Sequence, residues 1–447
     1  MNLDHTLITP ALPNGWRVMP FWSLFRRKKR TGHENEELLS VYRDYGVIPK
    51  SSRDDNHNKE SEDLSGYQLV NEGSLVTNKM KAWQGSIAIS RYRGIVSPAY
   101  YVYDPTSREC DQFLHYLLRS DPYINLYGRI SKGVRVNQWD LEHEALRNIP
   151  VLLPDLTTQR QIADFLDRET ARIDLLIEKK QRMVELLGRR AKAVIDRYTT
   201  VGIGTPQLKD SKGFWLGAVA AHWTVGPLKR FARLQSGYAF KADTFTDSGI
   251  KLVRMNNIKR GLLDLEEAVC VPHGDNNPLV SLRVGDIVLG MSGSIGESGS
   301  LGNFGVVRHE DLPCLLNQRV GRFQLDSRKM TPDFLMFVIQ STAFLDPIFL
   351  AATSTAQFNI SPTQVGGITV AAPPLAEQDE IVKAAKAELV GLREVQTRTE
   401  TSITRLREYR SALITAAVTG QIDPATTHAR AGSTDRQLDA MEAEGAT

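Results

Sequence analysis

The chain has 447 residues, 41% hydrophobic and 24% charged, with a net charge of only +3 and a pI of about 8.6. This fits a soluble globular protein of two to four domains, excludes a fibrous or disordered chain, and confines any nucleic-acid surface to local patches. Cys110, Cys270 and Cys314 are far apart with no CxxC pair, and there is neither a signal-like leader nor an apolar run near ~18 residues; a disulfide framework, structural zinc and a membrane span are therefore not expected, and the cytoplasm is the expected compartment.

Residues 1–13 read as a short N-terminal arm, and Gly15-Trp16 opens a first module over 14–154. Trp16 to Phe25 is short and apolar, and Arg26, Arg27, Lys28, Lys29 and Arg30 follow in an expected loop. Five adjacent cations suit phosphate contact, although such a run is equally a solvated face. Residues 53–65 are polar and turn-rich; Gly73 to Met80, Gly85 to Ser90 and Gly94 to Tyr103 are strand-like, rich in Val, Ile and Tyr with glycine punctuation, and Cys110 to Leu118 is helical in pattern. Between the strands, Lys79, Lys81, Trp83 and Gln84 beside Asn78 combine cations, an amide and an aromatic, a set able to read base edges and phosphates or to cap a hairpin over a buried indole. Lys132, Arg135, Asn137 and Gln138 precede a closing strand at Ile149 to Pro154.

A long helix is expected over 155–200, then a glycine-containing linker over 201–221 and a second module over 222–374. Its strand signals include Lys251 to Arg254, Asp286 to Met291 and Val320 to Gln324, and Asp333 to Gln340 is helical in pattern. Its candidate DNA contacts are Gln235, Tyr238, Lys241, Arg254, Asn256, Asn257, Lys259, Arg260, Asn317, Gln318, Arg319, Gln357 and Asn359. A second long helix covers 375–421, and 422–447, almost free of large apolar residues, reads as a disordered tail.

The two helices are one stretch written twice. At an offset of about 219 positions, Leu156 falls on Leu375, Gln159 on Gln378, Ile162 on Ile381 and Leu187 on Leu406 without a gap. Ile162, Leu166, Ile173, Leu176, Met183 and Leu187 in the first copy, and Ile381, Leu392, Val395, Leu406 and Leu413 in the second, fall on steps of four and three that mark a coiled-coil seam. The plainer reading is two ordinary bundle helices in separate cores. With no proline inside, each helix can run about 44 residues, roughly 66 Å. His222-Trp223 answers Gly15-Trp16, so the duplication includes the modules, although they have diverged far more than the helices.

Catalytic signatures are sparse. Gly290 to Gly296 lacks the phosphate-loop pattern, Ala372-Pro373-Pro374-Leu375 lacks the flanks of an adenine-methyltransferase motif, Pro154-Asp155 with Glu178 and Lys180 only mimics a nuclease set, and the His residues lack HxxxH spacing.

With the doubled Leu-x-x-Gln-x-x-Ile start, the stretch Asn78 to Gly85, Gly94 to Tyr100, Asn317 to Phe323 and the closing Ala412 to Gly420, the chain resembles the DNA-specificity subunit of Type I restriction-modification enzymes over nearly its whole length. Thr158 departs from the family by standing where Glu377 stands in the second copy. The resemblance implies an α+β fold of two mixed target-recognition domains, separated by two long helices in an antiparallel, pseudo-twofold coiled coil. It implies that each domain reads half of a bipartite target in defence against foreign DNA, with the helices setting the spacer. It also implies two modification (methyltransferase) subunits and restriction (endonuclease and translocase) subunits as partners. No cofactor is expected in this chain; S-adenosylmethionine, ATP and magnesium belong to those partners, and the chain itself is expected to be non-catalytic. Geometry agrees with the antiparallel arrangement, since a module with a radius of gyration near ~15 Å cannot return the chain along a helix of roughly 66 Å. The competing reading is a coiled-coil protein-interaction scaffold without DNA recognition.

Overall fold

The computed structural model describes residues 4–43, 45–53, 63–133, 139–259, 261–273, 278–295, 299–353 and 358–423. The tail expected over 422–447 lies outside them beyond Asp423. Two compact units emerge: residues 1–180 with 401–447, and residues 181–400. Each therefore combines one module with parts of both long helices.

In the first unit the central sheet has four antiparallel strands in the order Phe25–Arg27, Tyr100–Pro105, Leu75–Asn78, Ile87–Ile89. Leu75, Val76 and Thr77 are all fully buried, so both faces of this sheet are covered. The basic run was expected in a loop, but Arg26 and Arg27 lie in an edge strand, because Phe25 buries its ring and the backbone pairs with Tyr103 to Pro105. Arg17–Pro20 pairs with Pro150–Leu153, so the module's first and last strands close it just before the long helix.

The second unit repeats this plan with other residues. Its sheet runs Ala232–Ser236, Val320–Leu325, Ile287–Gly290, Phe304–Val306, again antiparallel throughout, and Thr224–Pro227 pairs with Thr369–Ala372. The stretch expected as a plain linker contains a hairpin, Leu208–Asp210 with Ala218–Ala220, whose Val219 and Ala220 enter the unit's core. Glycine content there signals turns but does not say that a β-bridged pair lies between them.

The long helices span Leu156–Thr200 and Leu375–Val418. The first is capped by Asp155, whose carboxylate accepts from the backbone N–H groups of Thr157 and Thr158 and from the Thr158 hydroxyl, at 2.9, 3.1 and 2.7 Å. These bonds hold the Asp155 carboxyl below the usual carboxylate range. The second follows Pro374, whose ring carries no acceptor to cap with; there Glu377 instead accepts from the Trp223 indole at 3.0 Å and meets His222 at 2.8 Å. The Thr158 departure is thus a change of device at one duplicated position.

Behind each helix start a buried glutamine does the same job. Gln159 donates to the Pro154 carbonyl and accepts from the Cys110 N–H; Gln378 donates to the Pro373 carbonyl and accepts from the Thr331 N–H. Both helices end on a left-handed glycine under an indole. Gly202 has φ +78° with Trp223 above it, and Gly420 has φ +72° with Trp16 and Pro13.

The seam is displaced at three of its eleven expected positions. Ile162, Leu166, Ile173, Leu187, Ile381, Leu392, Leu406 and Leu413 are buried or half-buried, as expected, but Leu176, Met183 and Val395 are exposed at 42%, 43% and 40%. Ile177, Val184, Gln396 and Ile403 take the inner places instead. From Ile173, residues three and four onward lie about 60° and 40° to either side of the same line, so spacing alone does not choose between them.

Candidate nucleic-acid interface

The loops that carry the candidate contacts gather at one end of each sheet. In the first unit, Asn78 faces Tyr100 across the sheet and the Lys28 N–H donates to the Val102 carbonyl at 3.0 Å, so the basic run leaves its strand towards the loop that begins at Lys79. Arg27 stacks its guanidinium 4.2 Å from the Tyr101 ring. Arg30 is engaged by both oxygens of Asp104. Among the described residues no acid lies within ion-pair distance of Arg26, Lys28, Lys29 or Lys81, all of which are exposed. Lys79 meets Asp140 at 3.1 Å in a half-buried pair and Lys132 meets Glu142 at 3.2 Å in an exposed one, and such solvent-accessible pairs exchange readily for phosphate. Gln84 is half-buried, and the Trp83 indole N–H donates to the Met80 carbonyl at 3.1 Å.

A residue that sequence reading passed over completes this surface. Trp139 packs on Trp83 with ring centroids 4.9 Å apart, and two residues later the Leu141 N–H donates to the Lys79 carbonyl at 2.9 Å. Arg135, Asn137 and Gln138 lie outside the described residues.

In the second unit Ile250–Val253 runs parallel to Cys314–Leu316, which brings Arg254 and Asn317 out at the same end. The Tyr238 N–H donates to the Leu316 carbonyl and the Gln318 N–H to the Tyr238 carbonyl, both at 3.0 Å. Tyr238 is 54% exposed, and Lys241, Gln318 and Arg319 are exposed beside it. The Met291 N–H reaches the Arg319 carbonyl at 3.0 Å, the Ile360 N–H reaches the Met291 carbonyl at 2.9 Å, and the Ser292 hydroxyl bonds the Asn359 amide oxygen. Asn256 and Lys259 are exposed on a turn and hairpin tied to the sheet through Gly261 and Phe304. Arg254 is half-buried with its Nε enclosed.

Two candidates are structural here. Asn257 is buried, accepting from the Arg254 N–H and donating to the Asp264 carbonyl, both at 3.0 Å. Gln235 accepts from Arg322 and Gln324 and donates to the Leu279 carbonyl, so both ends of its amide are occupied. Polar identity suggested surface contact; burial and saturation of the amide are properties of the fold. Arg260 and Gln357 lie outside the described residues.

Among the described residues no group of three His, Cys, Asp or Glu is placed to hold a metal ion, and no single helix is long and apolar enough to cross a membrane. What the two sheet ends offer is hydrogen-bonding, cationic and aromatic groups on loops fixed by backbone bonds, which is the chemistry of duplex recognition.

The family model for the Type I restriction modification DNA specificity domain matches residues 14–185 and again 221–387. The chain belongs to this family. Its two modules are two DNA-specificity domains of Type I restriction-modification systems, one in each unit. The MjaVIII specificity subunit of Methanocaldococcus jannaschii is 27% identical over 386 residues, covering 84% of this chain and 86% of that one. The EcoAI specificity subunit of Escherichia coli is 31% identical over 153 residues, covering 33% of this chain and 25% of its own. Among solved structures, one described as showing complex assembly and conformational transition of the type I R-M system matches with a TM-score of 0.63 at 14% identity, over 92% of this chain and 100% of that chain. The HsdS subunit from Thermoanaerobacter tengcongensis matches at 0.51 and 15%, over 93% and 99%.

Proposed function

We propose that each module reads one half of a bipartite DNA target, and that the two long helices run antiparallel and set the unread spacer between the halves. The observation that carries this reading is the pair of equivalent sheet ends, held by the same backbone bonds but furnished with different side chains: a shared frame with diverged tips suits two different half-sites. Support for the helix arrangement comes from inside each unit. Asp174 grips Arg410 at 2.9 and 3.1 Å in the first, and Glu388 meets Arg190 and Arg197 at 3.1 and 3.4 Å in the second; as one partner's number rises the other's falls.

On this reading the chain has no catalytic centre of its own. It acts in the cytoplasm and docks two modification subunits, which bind S-adenosylmethionine, and restriction subunits that use ATP and magnesium. An interaction scaffold indifferent to DNA lacks a reason for the exposed cations at both sheet ends. Binding of the full chain to duplex across a salt series separates the two: phosphate contact requires log K to fall with log salt by about 0.9 per contact, and a flat line would favour the scaffold.

A further inference from the structure

The duplication extends further back than the helix starts. Phe358 stands 219 positions after Trp139, the same offset that separates Gln378 from Gln159. The backbone repeats with it: Leu141 donates to Lys79 in one unit and Ile360 donates to Met291 in the other, each at 2.9 Å. Lys79 and Met291 each begin the loop after the third strand of the four-stranded sheet. A large aromatic is thus delivered, in both modules, to the same place on the sheet end that carries the candidate contacts.

Neither aromatic is spent on the core. Phe358 is 40% exposed and Trp139 is half-buried, against Trp83 rather than beneath the sheet. Because Met80 already accepts the Trp83 indole N–H, that half of the pair offers ring surface only. The Phe358 side chain has no donor or acceptor, and its backbone carbonyl already accepts from the Gly293 N–H at 3.1 Å, so the ring offers apolar surface alone. Cations flank the tryptophans, with Lys79 and Lys132 held only by exposed carboxylates.

We propose that Trp139 and Phe358 are specificity-determining residues, one in each module, that contact the nonpolar surface of a base pair in the half-site of that module. The proposal rests on the modules being DNA readers, as argued above. Two nonpolar surfaces on a duplex fit: the thymine methyl group in the major groove, and the face of a pair at an unstacked step.

The test uses the full chain and duplexes selected from a randomised pool. Trp139→Ala and Phe358→Ala are each expected to weaken the selected duplex by about tenfold and to relax only one half-site, a different one for each variant. The salt slope should stay unchanged, since no phosphate contact is lost. Trp139→Phe, which keeps the ring surface, should retain most of the affinity. Deoxyuridine in place of thymidine should cost the wild type about fourfold if the methyl is read, with no further loss in the variant; a mismatch at the contacted step should instead tighten wild-type binding alone if the ring enters the stack. Unchanged half-sites at wild-type affinity in both alanine variants would overturn the proposal, as would loss spread over both half-sites, or indifference to uracil and mismatch alike. A wild-type chain that selects no sequence would overturn the underlying reading as well.

Discussion

Gln159 and Gln378 each satisfy buried backbone groups on both sides of a helix start, and neither is accessible to water. Gln378→Leu orphans the Thr331 N–H and the Pro373 carbonyl together, and its expected cost is about 1–3 kcal/mol for each group left unpaired, read as a lowered urea midpoint at unchanged m-value. The same logic divides the candidate DNA contacts. Asn257→Ala should destabilise the second unit by about 1–3 kcal/mol, whereas Arg319→Ala, at an exposed tip, should leave the unfolding midpoint in place and weaken duplex binding. His115 gives a pH signature. Burial and the neighbouring Arg119 guanidinium push it down from 6.5 to about 3. The unfolded chain therefore takes up this proton first as the pH falls: stability from this group is complete above about 6.5 and is lost towards 3, at up to about 1.4 kcal/mol per pH unit. Urea midpoints measured across that window should flatten in His115→Gln. At this scale the sequence was a partial guide. It placed Lys79 and Trp83 in a connection between strands, where the structure also has them, because turn residues and strand ends are legible. It could not show that Asn257 is buried in a turn or that Gln235 is bonded to Arg322, Gln324 and Leu279, since an amide satisfies the fold as well as it reads a base.

The long helices were the most legible elements, and their starts and left-handed ends follow from Asp155, Pro374, Gly202 and Gly420. Their inward face was legible at eight of the eleven expected positions. Ile177 is 8% exposed and Leu176 is 42% exposed. Ile177→Ala should therefore cost about 2–4 kcal/mol and Leu176→Ala less than about 0.5 kcal/mol, a contrast that thermal unfolding followed by circular dichroism resolves. The equal result for both would restore the original seam. What decides between neighbours on a helix is the side from which other chain segments approach, and that is a tertiary fact. The hairpin at Leu208–Asp210 was missed for a related reason: its strands are three residues long, too short for alternation to register.

At the scale of the molecule, duplication outlasts sequence likeness. The modules share strand order, strand direction and the backbone bonds of the sheet end, although their sequences have diverged far more than those of the helices. Hydrophobic pattern dictates where a strand lies, but many residue sets satisfy it, so the frame persists while the tips change. If the helices set the spacer, adding seven residues after Lys180 and seven after Glu400 lengthens each rod by roughly 10 Å. The recognised half-sites should stay the same and the gap between them should grow, as read by sequencing methylated bases in cells carrying the complete system. An unchanged gap would remove the helices from that role.

The division into units also has a temporal side. Residues 181–400 form one uninterrupted stretch, while the other unit joins 1–180 to 401–447. On the ribosome, the later-made body is the one that can finish first. The seat beneath Trp16 stays unfilled until Gly420 is made, after the whole of residues 181–400.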